Sequence, residues 1–133
     1  AALKRVKAWV RVDGYHDIGS GPRMSPQVQD EAYPLSRCMT CGCCVEACPQ
    51  FNDHSAFIGP AAISQAILFN AHPTGRVERD DRLAVLSGVG GIVDCGNSQN
   101  CVKVCPKDIP LTTSIAKAGR DTTLYKIRQW FGR

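Results

Sequence analysis

The chain has 133 residues, 44% of them apolar but only 7% aromatic, with a formal charge of +4. That is the size of one ordinary domain with a modest core, the kind that often draws on metals or crosslinks to fold. No basic run with interleaved aromatics is present, which argues against nucleic acid as a partner, and no run of roughly 20 apolar residues is there to cross a bilayer.

Residues 1–12 mix apolar and basic positions and are expected to begin as a short helix. The opening AALKRVKAWV lacks the apolar core and cleavage site of a secretory leader, so none is expected. Residues 13–26 read as a loop, with Gly14, Gly19, Gly21, Pro22 and Pro26 as breakers. We therefore expect a linker-like segment over 1–26 and a helical domain over 27–133. The stretch PQVQDEAYPLSR is a short helix leading into the first cysteines. PAAISQAILFNA, from Pro60 to Ala71, is a helix with Pro60 in its first turn and His72-Pro73 as its end. DDRLAVLS, 80–87, follows as a short helix with acidic residues in its first turn, and the glycines at 88, 90 and 91 stop it. Beyond Pro110, LTTSIAKAGRDTTLYKIRQWF predicts two helical pieces divided near Gly119, with Asp121 capping the second. Strand signals are weak throughout, and the fold class is mainly α.

Five of the eight cysteines fall between Cys38 and Cys48 and three between Cys95 and Cys105. Close-packed thiols of this kind are more typical of metal sites in reducing compartments than of a disulfide framework. Both blocks follow one spacing, C-x2-[CS]-x2-C-x3-C-P: Cys38, Cys41, Cys44, Cys48, Pro49, then Cys95, Ser98, Cys101, Cys105, Pro106. This is the bacterial ferredoxin run, in which the fourth Cys ligates the other cluster. Cys48 lies four residues beyond Cys44, roughly 6 Å of helix rise, and so faces a neighbouring site. Gly42 lets the backbone approach the cluster, and Pro49 ends the helix.

The crossed rule assigns Cys38, Cys41, Cys44 and Cys105 to one cluster. Cys48, Cys95 and Cys101 go to a second, with Ser98 in place of a fourth thiolate. Four thiolates suit [4Fe–4S]; three with a poor hydroxyl ligand suit [3Fe–4S]. Two zinc sites of mixed ligands are the competing reading, since zinc also uses paired CxxC motifs. Cys43 is left over and reads as a small buried thiol packed beside the cluster. His16, His54 and His72 have no partner pattern and read as surface or capping residues. Nothing resembles a nucleophile with its base, a phosphate loop or a nicotinamide fingerprint, so the chemistry expected is one-electron transfer.

At these residues the sequence resembles the iron–sulfur subunit of succinate dehydrogenase and fumarate reductase, in its C-terminal half. The resemblance runs through SRCMTCGCCVEACP (36–49), FIGPAAISQAILFNAHPTG (57–75), DCGNSQNCVKVCPKDIPLTTSI (94–115) and RDTTLYKIRQWF (120–131). Its wording is closest to forms from Gram-positive and related bacteria. It implies an α-helical ferredoxin-like domain built around two iron–sulfur clusters. The [4Fe–4S] cluster would be the middle relay and the [3Fe–4S] cluster the membrane-proximal one. It further implies a non-substrate-binding subunit of a membrane-bound succinate:quinone oxidoreductase, with fumarate reductase, running in reverse, as the alternative.

FAD on a flavoprotein subunit, a [2Fe–2S] domain on a separate chain or a preceding half, and a membrane anchor with quinone and haem are the implied partners. The implied location is the cytoplasmic face of a bacterial plasma membrane, or the matrix face of the inner membrane in a mitochondrion. Asn52, Asp53 and Gly96 stand where ubiquinone-using members carry Trp and His, which implies a menaquinone-type anchor. A two-cluster adapter of another oxidoreductase is the runner-up; those adapters show full Cys in both runs, and Ser98 argues against them. Trp130, Phe131 and the basic tail are expected either near partner subunits or packed into the fold.

Overall fold

A computed structural model describes residues 1–10 and 23–132. His16 and most of the loop read over 13–26 lie outside the described residues. The described chain is helical, and no strand occurs among its residues.

Among the described residues seven α-helices follow in order: α1 Ala2–Arg5, α2 Pro26–Ser36, α3 Cys43–Glu46, α4 Pro60–Ala71, α5 Arg79–Leu86, α6 Asn100–Lys103 and α7 Leu111–Phe131. α2 starts where Ser25 accepts a hydrogen bond from the Val28 amide at 3.4 Å, with Pro26 as its first residue. α4 has the bounds its prolines predict, because Pro60 needs no amide partner at the first turn and His72 is extended before Pro73. The His72 ring has the capping role expected of it. Its Nδ1 accepts the Thr74 and Gly75 amides at 3.2 and 3.4 Å.

α4 is the hub. It packs on α2 and α7, and also meets α1, α3 and α5. Ala62, Ile63, Ala66 and Ile67 are at most 2% exposed, as a helix apolar on nearly all sides requires. Leu35, Phe57, Ile58, Leu83, Leu86, Ile109, Leu111 and Ala118 complete the core around it. Each large aliphatic residue buried there contributes about 1.5–3 kcal/mol. Val6 joins the same core, so α1 packs on the body of the protein.

The two pieces expected after Pro110 are one helix, and Asp121 is not a cap. A glycine within a helix costs about 1 kcal/mol relative to alanine, less than packing against α4 and α5 returns. Asp121 sits in the body of α7 and pairs with Arg79 at 3.2 Å, tying α7 to α5. The Thr122 and Thr123 hydroxyls donate to the Gly119 carbonyl at 2.9 and 2.8 Å, holding the turn that the glycine loosens.

Arg82 on α5 is fully buried. Its guanidinium donates to the Lys7 and Trp9 carbonyls at 3.0 and 2.8 Å, to Asn70 Oδ1 at 3.1 Å and to the Gly75 carbonyl at 2.5 Å. Glu78 lies 3.5 Å away as its counter-charge. Burial pulls its pKa below the ordinary arginine value, with Glu78 opposing. One side chain thus joins the N-terminal segment, α4 and the turn before α5. Arg82→Ala leaves several buried acceptors and one carboxylate without a partner, and should cost about 3 kcal/mol or more in the urea unfolding midpoint. Arg82→Lys should recover only part of it, because an ammonium cannot reach acceptors in so many directions.

Candidate metal centre

The two cysteine blocks adopt the same backbone. Thr40 and Gly42 in the first have φ of 54° and 84°, and the matching Asn97 and Gln99 have 50° and 60°. Each block then makes one helical turn, α3 or α6, before its last Cys and its proline. The closing bonds match as well: the Cys48 amide donates to the Val45 carbonyl at 3.1 Å, and the Cys105 amide to that of Val102 at 3.3 Å. Only Gly42 takes the left-handed conformation without strain; Thr40, as a β-branched residue, is an outlier. Strain of this kind persists where the surroundings hold a clamp in shape. The helix after Cys41 is shorter than expected, since α3 ends at Glu46 and Cys48 follows its cap.

α3 and α6 pack together, and the Asn100 side-chain amide donates to the Ala47 carbonyl across them at 3.2 Å. Two cavities result. Cys38, Cys41, Cys44 and Cys105 line the first, with Gly42, Ala61, Ile109 and Leu111. Cys48, Cys95 and Cys101 line the second, together with Ser98, Phe57, Pro60, Thr112 and Ile115. Each cavity therefore draws on both blocks. No three His, Cys, Asp or Glu side chains among the described residues converge closely enough to hold a single metal ion. A zinc ion needs its sulfurs about 2.3 Å from one point. The thiols instead surround a volume, a donor set that fits a multi-atom cluster of iron and sulfide.

Burial and neighbouring thiols set the electrostatics of both cavities. Burial pushes the Cys44 thiol up to about 11, and Cys38, Cys101, Cys105 and Cys41 add to it. Cys101 is also raised by burial, with Cys48 and Cys95 adding to the shift and the Val102 amide relieving it. The exposed Cys41 is lowered by the Cys43 amide and then by the Cys43 thiol. Cys43 itself is exposed, which corrects the expectation of a buried thiol. It stands at the first position of a single-turn helix, and the neighbouring Cys41 raises its pKa.

Sequence reasoning missed the walls of these cavities. α4 and α7 both begin here, with Pro60 and Thr112 against the second cavity and Ala61 and Leu111 against the first. Their N-terminal dipole ends favour the negative charge of thiolates. The prolines before each helix marked where the helices start, but nothing in the sequence said that they start at the cysteines. His54 is exposed in a loop, away from both cavities.

A model for a 4Fe-4S dicluster domain matches residues 34–109. The succinate dehydrogenase iron-sulfur subunit of Bacillus subtilis is 58% identical over 131 residues, 98% of this chain and 52% of that protein. The fumarate reductase iron-sulfur subunit of Wolinella succinogenes is 32% identical over 114 residues, 85% of this chain and 48% of that protein. That of Mycobacterium tuberculosis is 30% identical over 112 residues, 82% of this chain and 44% of that protein. The chain spans about half the length of these curated relatives.

The buried thiols give the cluster-free chain a pH dependence. Cys44 loses its proton near 9.0 when unfolded and near 11 when folded. Its contribution is therefore complete below pH 9.0 and disappears as pH rises toward 11. The denaturant midpoint should fall across that window, and Cys44→Ala should flatten the fall.

Proposed function

The chain belongs to the 4Fe-4S dicluster domain family, and from that premise we propose that it is the electron-relay part of a membrane-bound succinate:quinone oxidoreductase. In this reading Cys38, Cys41, Cys44 and Cys105 hold a [4Fe–4S] cluster. Cys48, Cys95 and Cys101 hold a [3Fe–4S] cluster beside Ser98. Such clusters supply reversible one-electron oxidation and reduction at potentials set by charge, hydrogen bonding and exposure. The observation that carries the proposal is the composition of the two cavities: four thiols around one, three thiols and a hydroxyl around the other. Ser98 in place of a fourth thiolate makes the two stations unlike, as a relay of two different clusters requires.

The residues around the cavities have their own tasks. Ala61, Ile109 and Leu111 keep water from the first cavity, and Phe57 and Ile115 do so at the second. The Cys43 and Val102 amides favour the thiolate form of Cys41 and Cys101. The chain itself binds no substrate in this proposal. A flavoprotein with FAD, a [2Fe–2S] domain, and a membrane anchor with menaquinone-type quinone and haem do the rest. No helix among the described residues is long and apolar enough to cross a membrane, in keeping with a peripheral position, here proposed on the cytoplasmic face. Relatives that are fumarate reductase subunits support the reverse direction as the second reading.

Ser98→Cys tests the second site directly. It should raise the iron content and abolish the EPR signal of an oxidised three-iron cluster; a wild-type protein already cubane at both sites would overturn the assignment. Co-purification tests the assembly. A tagged chain expressed in its own host should bring down a flavoprotein and a haem-bearing membrane protein. Purification alone, as a stable monomer with both clusters, would refute the complex-subunit reading.

A further inference from the structure

α7 has two apolar faces. Leu111, Ser114, Ala118 and Thr122 are its buried side. At 100° per residue the side opposite carries Leu124, Ile127, Trp130 and Phe131, confined to the last two turns. These are 51%, 46%, 80% and 78% exposed, which sets aside a packing role for the two aromatics. The Trp130 and Phe131 rings stand beside each other, with centroids 5.4 Å apart. Large apolar side chains sharing one exposed stripe mark an interaction surface more than isolated ones do.

The charge that α7 itself places around the stripe is basic. Lys126 and Arg128 border it on either side, and Arg120 stands one turn before it. No Asp or Glu occurs after Asp121, and Asp121 is turned toward Arg79. Arg128 pairs with the exposed Asp80 at 2.5 Å, so its border is partly neutralised, but both groups face solvent and are screened.

We propose that this outer face of α7 docks on an anionic bilayer surface. The four apolar residues would enter the headgroup boundary, and Lys126 and Arg120 would meet the lipid phosphates. Aromatic and aliphatic side chains flanked by cations are the composition of a helix that lies on a membrane. Lys126 and Arg120 beside four apolar side chains on one exposed face favour an anionic lipid surface as the occupant. Two turns make the attachment weak and reversible, an addition to any protein anchor. The inference does not depend on which cysteines hold which cluster.

The test is co-sedimentation of the cluster-loaded chain with vesicles of phosphatidylcholine, with and without phosphatidylglycerol, at low and high salt. Binding should require phosphatidylglycerol and weaken with salt. Lys126→Gln should lower affinity by about fivefold, and Leu124→Ser with Trp130→Ser should nearly abolish binding. The substituted residues are exposed, so iron content and visible absorption should match wild type; their loss would implicate cluster assembly instead. Equal binding by wild type and the double variant, or no binding, would overturn the proposal. So would a wild-type dimer that the double variant converts to monomer, since the face would then pair with a second copy of the chain.

Discussion

Thiolate charge buried in a small protein has to be offset from several directions at once, and the arrangement of helices here answers that need. Cys44 and Cys101 are the two most deeply buried thiols, and their own burial works against ionisation. Three devices oppose it. α4 and α7 bring their N-terminal ends to both cavities, and neighbouring residues at each helix start face different cavities. Backbone amides after Cys41 and Cys101 turn toward sulfur. The surplus of four positive charges on the chain supplies a distributed background. Iron, in the proposed loaded state, supplies the rest.

That convergence requires two helix ends to be held in place by contacts made elsewhere. Arg82 does this from the far end of α4, where it bonds Asn70 while also clasping the carbonyls of Lys7 and Trp9. The loops between the cysteine blocks are joined by a close approach of Gly90 to Ala56. A Cβ at Gly90 would lie 2.0 Å from the Ala56 carbonyl oxygen, and its φ of +78° disfavours any other residue. The Ile58 amide donates to the Gly90 carbonyl at 2.9 Å, and Arg5 donates to the Ala56 and Val89 carbonyls alongside. The cavity walls are thus fixed by polar contacts that touch no cysteine.

The paired blocks are one backbone device used twice with different side chains. Thr40 and Asn97, Gly42 and Gln99, and α3 and α6 correspond position by position. Ser98 stands where the first block has Cys41, and Asn100 where it has Cys43. Those replacements alter the chemistry of the second cavity while leaving its shape. Asn100 gains the hydrogen bond to Ala47 that holds the two single-turn helices together, a task its exposed counterpart Cys43 does not perform.

Spacing alone showed two like blocks, because the C-x2-[CS]-x2-C-x3-C-P run recurs at Cys38 and Cys95. It was also enough to bound α4, since prolines constrain the backbone whatever surrounds them. Tertiary structure decided what local signals could not. Gly119 and Asp121 read as a break and a cap, yet packing on α4 and the Arg79 pair carry the helix through. Cys43 read as a small buried thiol, yet α3 lasts a single turn and leaves it outside. Arg82 gave no sequence signal at all, since its partners are spread over the Lys7–Trp9 segment, α4 and the Gly75 turn. Local chemistry is written in neighbouring residues; which helix ends and which distant carbonyls meet it is settled only when the whole chain packs.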